Sequence, residues 1–423
     1  MKTLFESQRD SLADALAMTE ASLCAYGERR HWCVAFSGGK DSSATLAAVV
    51  YLIDSGRVPR PQSLTVLYAD TRLELPNLQS AAYGMLDAAR ARGLATEVVY
   101  PLLDKRFYVM MFGRGVPPSH SGFRWCTGAL KVDPMGAAMQ AMRDRTGDKL
   151  LLITGMRIGE SANRDKRIAL SCGRNGGECG QGWYEETTPA EVADVLSPLL
   201  HWRTCHVWDW LRHGLADHAV NPHPEFSPEW RAWIKQRARR LPCHGFDCRM
   251  VCEVYDAGFE DSELEALNRT GCLVCPVASR DQALERTVRK PEWAYLAPLQ
   301  RLRPLYDDLT AAHSRLRKNA ERTAGGALSA NPMRLGPLTM PARVAGLIEV
   351  LAIQDEVNES ARRHSRPEVS LINAEELARI RELIAAGTWP DKWTGDEPHG
   401  DALLPITYRD GTVQRMLFAT EGA

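Results

Sequence analysis

The sequence predicts an α/β protein built on a doubly wound parallel sheet, with a cysteine-rich insert and a mainly helical C-terminal region. Three observations carry that prediction. Short apolar runs alternate with helix-forming segments through the first 154 residues, the first run leads into the glycine turn Ser37-Gly38-Gly39-Lys40-Asp41-Ser42, and ten of the eleven cysteines precede residue 273, with Cys275 the last. Strands that alternate with helices form parallel sheets, whose ligand crevice lies at the carboxyl ends of the strands.

Taken in order, residues 32–36 read as the first strand, and residues 43–50 have helix composition. Residues 64–68 form a second strand, 77–92 a helix, 96–100 a third strand and 149–154 a fourth. The segments 37–42, 70–74 and 155–164 each follow a predicted strand, so they are expected to converge on one site. Residues 171–182, rich in Gly, Cys and Asn, read as a loop or flap, and Pro222, Pro224, Pro228 and Pro242 break the next stretch. Beyond Pro291 the chain turns helical and charged, with a linker expected over 324–341 and an amphipathic helix over 343–363. The expected division is an α/β domain over 1–220, a cysteine-rich segment packed on it over 221–290, and a mainly helical region over 291–423.

The chain has 423 residues, 44% apolar and 25% charged, which is ordinary globular composition and enough for two or three domains. No apolar run approaches the roughly 18 residues of a membrane span, and the polar start is no signal peptide, so a cytoplasmic protein without membrane contact is expected. A formal net charge of -1 excludes a broad basic field, so any DNA contact must be local or assisted by a partner. Two basic stretches exist: Arg231, Lys235, Arg237, Arg239 and Arg240, then Arg301, Arg303, Arg315, Arg317, Lys318 and Arg322. Such runs are more often solvated helix faces than nucleic-acid contacts. An odd cysteine count without a secretory signal argues for metal or sulfur chemistry over disulfides.

The glycine turn carries the first chemistry. Gly38 and Gly39 let the backbone fold tightly, while the first-turn amides of the following helix and the Lys40 ammonium hold phosphate, with an adenine nucleotide as the natural ligand. It is not the G-x-x-x-x-G-K-[ST] loop, because Asp41 stands where that loop has a hydroxyl for magnesium. Asp70 lies just after a strand with a second carboxylate, Glu74, four residues on, and it suits Mg²⁺ binding or orientation of the nucleotide, with Glu74 also expected to bind the cofactor. Capping the helix that starts near Leu75 is an equal alternative for Asp70. Arg157 and Arg164, with Glu160 between them, suit bidentate phosphate or sulfate recognition, or else ordinary ion pairing. Cys272 and Cys275 have the C-x-x-C spacing that clamps iron or zinc.

The strings resemble known families at several points. Ser37 to Ser42 resembles the SGGxDS loop of the PP-loop ATP pyrophosphatases, of adenine nucleotide alpha-hydrolase-like fold, which split ATP between the α and β phosphates. Their DTGxExP string corresponds to Asp70-Thr71-Arg72-Leu73-Glu74-Leu75-Pro76, with Arg72 in place of the glycine. Residues 155–164 resemble the GxRxxES..R segment of the phosphoadenylyl-sulfate reductase superfamily. In that superfamily a Cys-Cys-x-x-x-Lys-Val-x-Pro segment and a distant C-x-x-C ligate an iron-sulfur cluster. Here Trp125 replaces the first cysteine, so the resemblance carries over Cys126, Cys272 and Cys275, and the arrangement expected of closer relatives adds Cys252, ahead of Cys248, Cys243, Cys172 and Cys179. A structural zinc competes for the same thiols.

Met111 to Pro118, Phe123-Arg124-Trp125-Cys126-Thr127, Gly271-Cys272-Leu273-Val274-Cys275 and Gly336-Pro337-Leu338-Thr339 together resemble the DNA phosphorothioation sulfurtransferases of the DndC/SspD family, over most of the chain. That resemblance implies ATP pyrophosphatase activity with Mg²⁺, a [4Fe-4S] cluster, and partners that include a cysteine desulfurase as sulfur donor, other phosphorothioation-system proteins and DNA. Lys40, Asp41, Asp70 and Arg157 are the catalytic candidates. A persulfide on Cys172 or Cys179, or sulfide on the cluster, is the expected sulfur carrier. The alternatives are a phosphoadenylyl- or adenylyl-sulfate reductase, disfavoured because no cysteine follows Cys275, a tRNA-thiolating enzyme with the same loop, and a nucleotide-gated scaffold without turnover.

Overall fold

A computed structural model describes residues 11–29, 31–120, 122–160, 165–166, 168, 177–178, 182–185, 187, 190–214, 244–255, 272–273, 281–318, 326–328, 331 and 333–414. Among these, no helix is long and apolar enough to cross a membrane. The chain divides into two compact units: residues 1–70, 74–100 and 132–270 form the first, and residues 71–73, 101–131 and 271–423 the second.

The first unit is organised around one seven-stranded sheet. Its strands are β1 (His31–Phe36), β2 (Ser63–Ala69), β3 (Ala95–Val99), β4 (Leu150–Ile153), β5 (Gly177–Glu178), β6 (Trp183–Glu185) and β7 (Ala193–Ser197), in the order β3-β2-β1-β4-β7-β6-β5. The five strands from β3 to β7 in that order are parallel, while β6 and β5 add an antiparallel edge. The predicted strands and the helix Pro76–Ala91 agree to within one residue at each end. The edge β5 lies within the expected flap, of which residues 171–176 and 179–181 fall outside the described residues.

Strand order reverses at β1, with β2 on one side and β4 on the other, so the crevice opens between the carboxyl ends of β1 and β4. Trp32, Cys33, Val34 and Phe36 of β1 are buried, as expected of a strand covered on both faces. The helix Lys40–Asp54 starts three residues earlier than its composition suggests, which places Lys40 and Asp41 in its first turn. Ser43, Ala44, Ala47 and Ala48 are fully buried along it, and Tyr51 packs edge-on against Trp210 at 5.4 Å.

The second unit holds the helices Leu302–Thr310, Met340–Arg363 and Ala374–Ala385. It corrects two expectations. Residues 335–338, read as part of a linker, form a strand antiparallel to Arg315–Arg317. Arg315 and Arg317 are buried strand residues, not a solvated face: Arg315 Nε donates to the Gly336 carbonyl at 2.5 Å, and Arg317 Nη2 donates to Ala402 O at 2.9 Å. Burial pushes the Arg315 guanidinium down to about 10. Arg301 pairs with Glu349 at 2.8 Å and with Glu356. The stretch from Arg231 to Arg240, and Arg322, lie outside the described residues.

Arg343, on the helix Met340–Arg363, is fully buried. Its Nε donates to Phe112 O at 2.7 Å, Nη1 to Thr388 O at 2.9 Å and Nη2 to Gly113 O, and the Trp389 ring lies 5.2 Å from its guanidinium carbon. One side chain thereby satisfies three carbonyls that would otherwise be costly to bury. Trp125 also has a packing role: it stacks on Phe107 at 5.4 Å and donates to the Pro117 carbonyl at 3.0 Å.

Candidate functional site

The crevice at the ends of β1 and β4 is made by backbone before side chains. Gly38 has φ +75°, and a Cβ there would sit 2.6 Å from the Ala82 Cβ, so both conformation and space require glycine. Gly39 is the N-cap of the helix Lys40–Asp54 and brings no side chain to cap it. The turn is cinched internally: Ser42 Oγ donates to Gly39 O at 3.0 Å, accepts from Ser37 N at 3.2 Å, and lies 3.0 Å from Ser37 Oγ. Gly155, after β4, packs so tightly that a Cβ would lie 2.9 Å from the Asp41 carbonyl oxygen and from Thr45 Oγ1. A helix start with a glycine cap and a tight turn before it is an anion cradle, and its donor set fits a phosphate chain.

Three charged side chains meet over this cradle. Asp41 Oδ2 accepts from Lys40 Nζ at 2.7 Å, and its Oδ1 accepts from Arg157 Nε at 2.6 Å. Arg157 is 2% exposed, its Nη1 donates to the Trp202 carbonyl at 3.1 Å, and its Nη2 lies 3.8 Å from Glu160 Oε1. Burial by itself would raise the Asp41 carboxyl, but the adjacent Arg157 and Lys40 charges outweigh it and hold it below its ordinary value. Arg157 is thus engaged in an ion pair, with Asp41 as its partner. Lys40, Asp41, Arg157 and Glu160 come together as expected. Arg164 lies outside the described residues.

Asp70, at the end of β2, is 3% exposed. Its Oδ2 accepts from Tyr83 Oη at 2.7 Å and from Gln79 Nε2 at 3.2 Å, and its backbone N donates to Val99 O at 3.0 Å. The helix Pro76–Ala91 has Leu75 at its N-cap with no side-chain hydrogen bond, so Asp70 does not cap it. Glu74 is half-buried. Tyr68, on β2, is 1% exposed, and its hydroxyl has no hydrogen-bond partner among the described residues. Burial, Glu74 and Asp70, in that order, push its ionisation up. Two carboxylates beside a buried phenol make a donor set that suits a hard cation.

Arg72 belongs to the second unit and adopts φ +62°, a left-handed conformation that a glycine would take without strain. Its Nε pairs with the buried Glu376 at 3.0 Å. Glu376 also lies 3.5 Å from Arg106 Nη1.

Sequence reasoning missed several neighbours. Tyr255 caps the short helix Arg249–Val254, and its hydroxyl lies 3.2 Å from where a Cβ on Gly39 would stand. Only the fold brings residue 255 to residue 39. Gln79 and Tyr83 carried a faint signal: four residues apart, they share one face of the helix that follows Asp70.

The predicted cluster ligands are placed only in part. Cys126 and Cys272 are half-buried in the second unit, and Cys126 N donates to Ser119 Oγ at 3.4 Å. Cys252 is half-buried in the first unit, where burial pushes its thiol up to about 11 against the opposing pull of Arg212. Cys248 is fully buried with its Sγ 3.8 Å from Met85 Sδ. Cys275, Cys243, Cys172 and Cys179 lie outside the described residues. Among the described residues, no group of three or more His, Cys, Asp or Glu is arranged to hold a metal ion.

Residues 31–222 match the family model of the phosphoadenosine phosphosulfate reductase domain. Two uncharacterized proteins of Methanocaldococcus jannaschii are similar to the chain. MJ0066 is 27% identical over 42% of this chain and 30% of its own length, and MJ0973 is 24% identical over 61% and 44%. The chain therefore spans less than half the length of either relative. Among solved structures, the phosphoadenylyl-sulfate reductase of Candida auris in its phosphate complex is 11% identical, over 48% of this chain and 87% of its own, with a TM-score of 0.29. The U34-tRNA thiolase NcsA from Methanococcus maripaludis with its [4Fe-4S] cluster is 12% identical, over 60% and 84%, also with a TM-score of 0.29.

Proposed function

We propose that the chain is an ATP pyrophosphatase and sulfurtransferase that adenylates a DNA backbone phosphate so that sulfur can replace a nonbridging oxygen. The observation that carries the ATP half is the meeting of the Gly38-Gly39 turn with Lys40, Asp41 and Arg157 at the carboxyl ends of β1 and β4. The match of residues 31–222 to a family model for adenine nucleotide chemistry supports it. The DNA half is supported by the Arg-Trp-Cys-Thr and Gly-Cys-x-x-Cys strings.

In this reading the glycine turn and the first-turn amides hold the phosphates of ATP, and Lys40 neutralises their charge. Asp70 and Glu74 would hold Mg²⁺, which would supply charge stabilisation on the pyrophosphate. Arg157 exchanges one partner for another, giving up Asp41 to a phosphate oxygen while Trp202 O keeps its guanidinium in place. A nonbridging oxygen of the DNA phosphodiester attacks the α-phosphorus and pyrophosphate leaves. Sulfide, released from the persulfide of a cysteine desulfurase partner by two electrons from thiols, then attacks the DNA phosphorus, and that P–O bond breaks as AMP departs with the oxygen. Cys126, Cys272 and Cys275 would supply thiolates to a [4Fe-4S] cluster.

Pyrophosphate release from ATP by anaerobically purified protein, with DNA and a sulfide donor, tests the proposal. No release under any combination sinks it. Phosphorothioate dinucleotides in host DNA that vanish with the gene would establish the acceptor. Sulfite release from phosphoadenylyl sulfate would instead favour the reductase that the family model describes. Iron content of wild type and Cys272→Ser tests the cluster, and equal iron in both would remove Cys272 as a ligand.

A further inference from the structure

The end of β2 holds a chain of three hydroxyl and carboxylate groups, of which the proposed chemistry uses only the Asp70 carboxylate directly. Tyr83 Oη donates to Asp70 Oδ2 at 2.7 Å, and Tyr100 Oη lies 3.0 Å from Tyr83 Oη. A phenol has one hydrogen to give. Since Tyr83 spends its own on the carboxylate, the Tyr100 hydroxyl is the donor in the second bond. Each donation polarises the next, so the pair Tyr100 to Tyr83 strengthens Tyr83 to Asp70. Tyr100 is 47% exposed and Asp70 is 3% exposed, so the chain runs from solvent to a buried carboxylate.

The ring of Tyr83 is itself held edge-on at 5.8 Å by Tyr68, the buried phenol whose hydroxyl has no hydrogen-bond partner among the described residues. Gln79 supplies a second donor to Asp70 Oδ2 at 3.2 Å from the same helix face. Two donors on one oxygen, with the backbone fixed to Val99, restrict the carboxylate to one orientation. A buried carboxylate needs such donors whatever its role. The two-tyrosine chain leading to solvent exceeds that need.

We propose that Tyr83, backed by Tyr100, is the positioning residue that presents Asp70 to the cation of bound Mg²⁺·ATP. This rests on the reading of the Ser37 to Ser42 turn as an ATP site. Asp70 is the group that meets the ligand, and Tyr83 acts through it. Calorimetric titration of the full chain with ATP, in the presence of Mn²⁺ and separately in EDTA, separates the two ideas. Tyr83→Phe keeps the ring and removes the hydroxyl. Its affinity for Mn²⁺·ATP is expected to fall about tenfold, as for a lost charge-assisted hydrogen bond, while affinity for metal-free ATP stays within twofold. Tyr100→Phe, which touches no carboxylate, is expected to lower only the metal-dependent affinity, by about twofold to threefold, and it stands in if Tyr83→Phe does not fold. Equal affinities of wild type and both variants for Mn²⁺·ATP would overturn the proposal. So would an equal loss with and without metal, which marks a structural role. Wild type that binds no ATP under either condition would instead overturn the ATP site.

Discussion

Two buried arginines, one in each unit, show what burial alone leaves undecided. Arg157 is 2% exposed and faces Asp41 and Glu160, while Arg343 is fully buried and faces the carbonyls of Phe112, Gly113 and Thr388 beneath the Trp389 ring. Carboxylates neutralise the first guanidinium with a charge that a phosphate can replace. Neutral carbonyls only solvate the second, and burial pushes it down to about 10. A guanidinium bound to backbone acceptors fixes the chain around it, whereas one bound to a movable side chain is poised to change partners. The partners, more than the arginine, separate a staple from a binding group.

The largest effect expected from this contrast is on stability. Arg343→Ala strips two buried carbonyls and one half-buried carbonyl of their donor and should cost about 3 kcal/mol, seen as a lower denaturant midpoint, while any protein that folds binds ATP as wild type does. Loss of ATP binding in the folded fraction would erase the distinction. Arg157→Ala reverses the pattern: pyrophosphate release should fall about 100-fold or more, and the loss in ATP affinity should exceed what any change in unfolding midpoint accounts for.

Gly38→Ala comes next. The methyl group enters a left-handed turn and meets Ala82, so a cost of about 1–2 kcal/mol with weakened ATP binding is expected in equilibrium unfolding and titration. A variant that binds ATP normally would show that the turn is not the cradle.

The pH dependence of Asp41 is smaller. Its folded-state ionisation lies below the ordinary 3.8 that it regains on unfolding. Its contribution is therefore fully present above about pH 4 and is lost as pH falls through the lower, folded value. Asp41→Asn should flatten that acid limb in stability measured from pH 5 to 2, and an unchanged limb would detach Asp41 from Arg157. Arg72→Gly has the smallest expected effect. Relief of left-handed strain offsets the lost pair with Glu376, leaving the unfolding free energy within about 1 kcal/mol of wild type. A larger loss would show that the pair outweighs the strain.

The contrast also marks what the sequence made legible. The strand-turn-helix around Ser37 to Ser42, the parallel strands and the convergence of Lys40, Asp41 and Arg157 follow from local patterning, because each is set by residues close in sequence or by the order of strands. Arg343 carried no such signal. It sits in an amphipathic helix, and its acceptors lie some 230 residues earlier and 45 residues later. The strand 335–338 was hidden for a similar reason: Gly336 and Pro337 read locally as a linker, but pairing with Arg315–Arg317 overrides that preference. Tyr255 became visible only once the short helix it caps was set against the crevice.

Gly155 carries a further implication for how ligand exchange must occur. With no room for one methyl between it and the Asp41 carbonyl, the loops after β1 and β4 are packed against each other as one close edge. In the proposed chemistry, arrival and departure of phosphate at this edge would proceed by side-chain exchange: Asp41 would swing, Arg157 and Lys40 would trade acceptors, and the main chain would keep its place. Such an edge responds to a new ligand through the lengths and charges of three side chains, so changes in what it accepts should come from substitutions at those positions well before any from lengthening the loops.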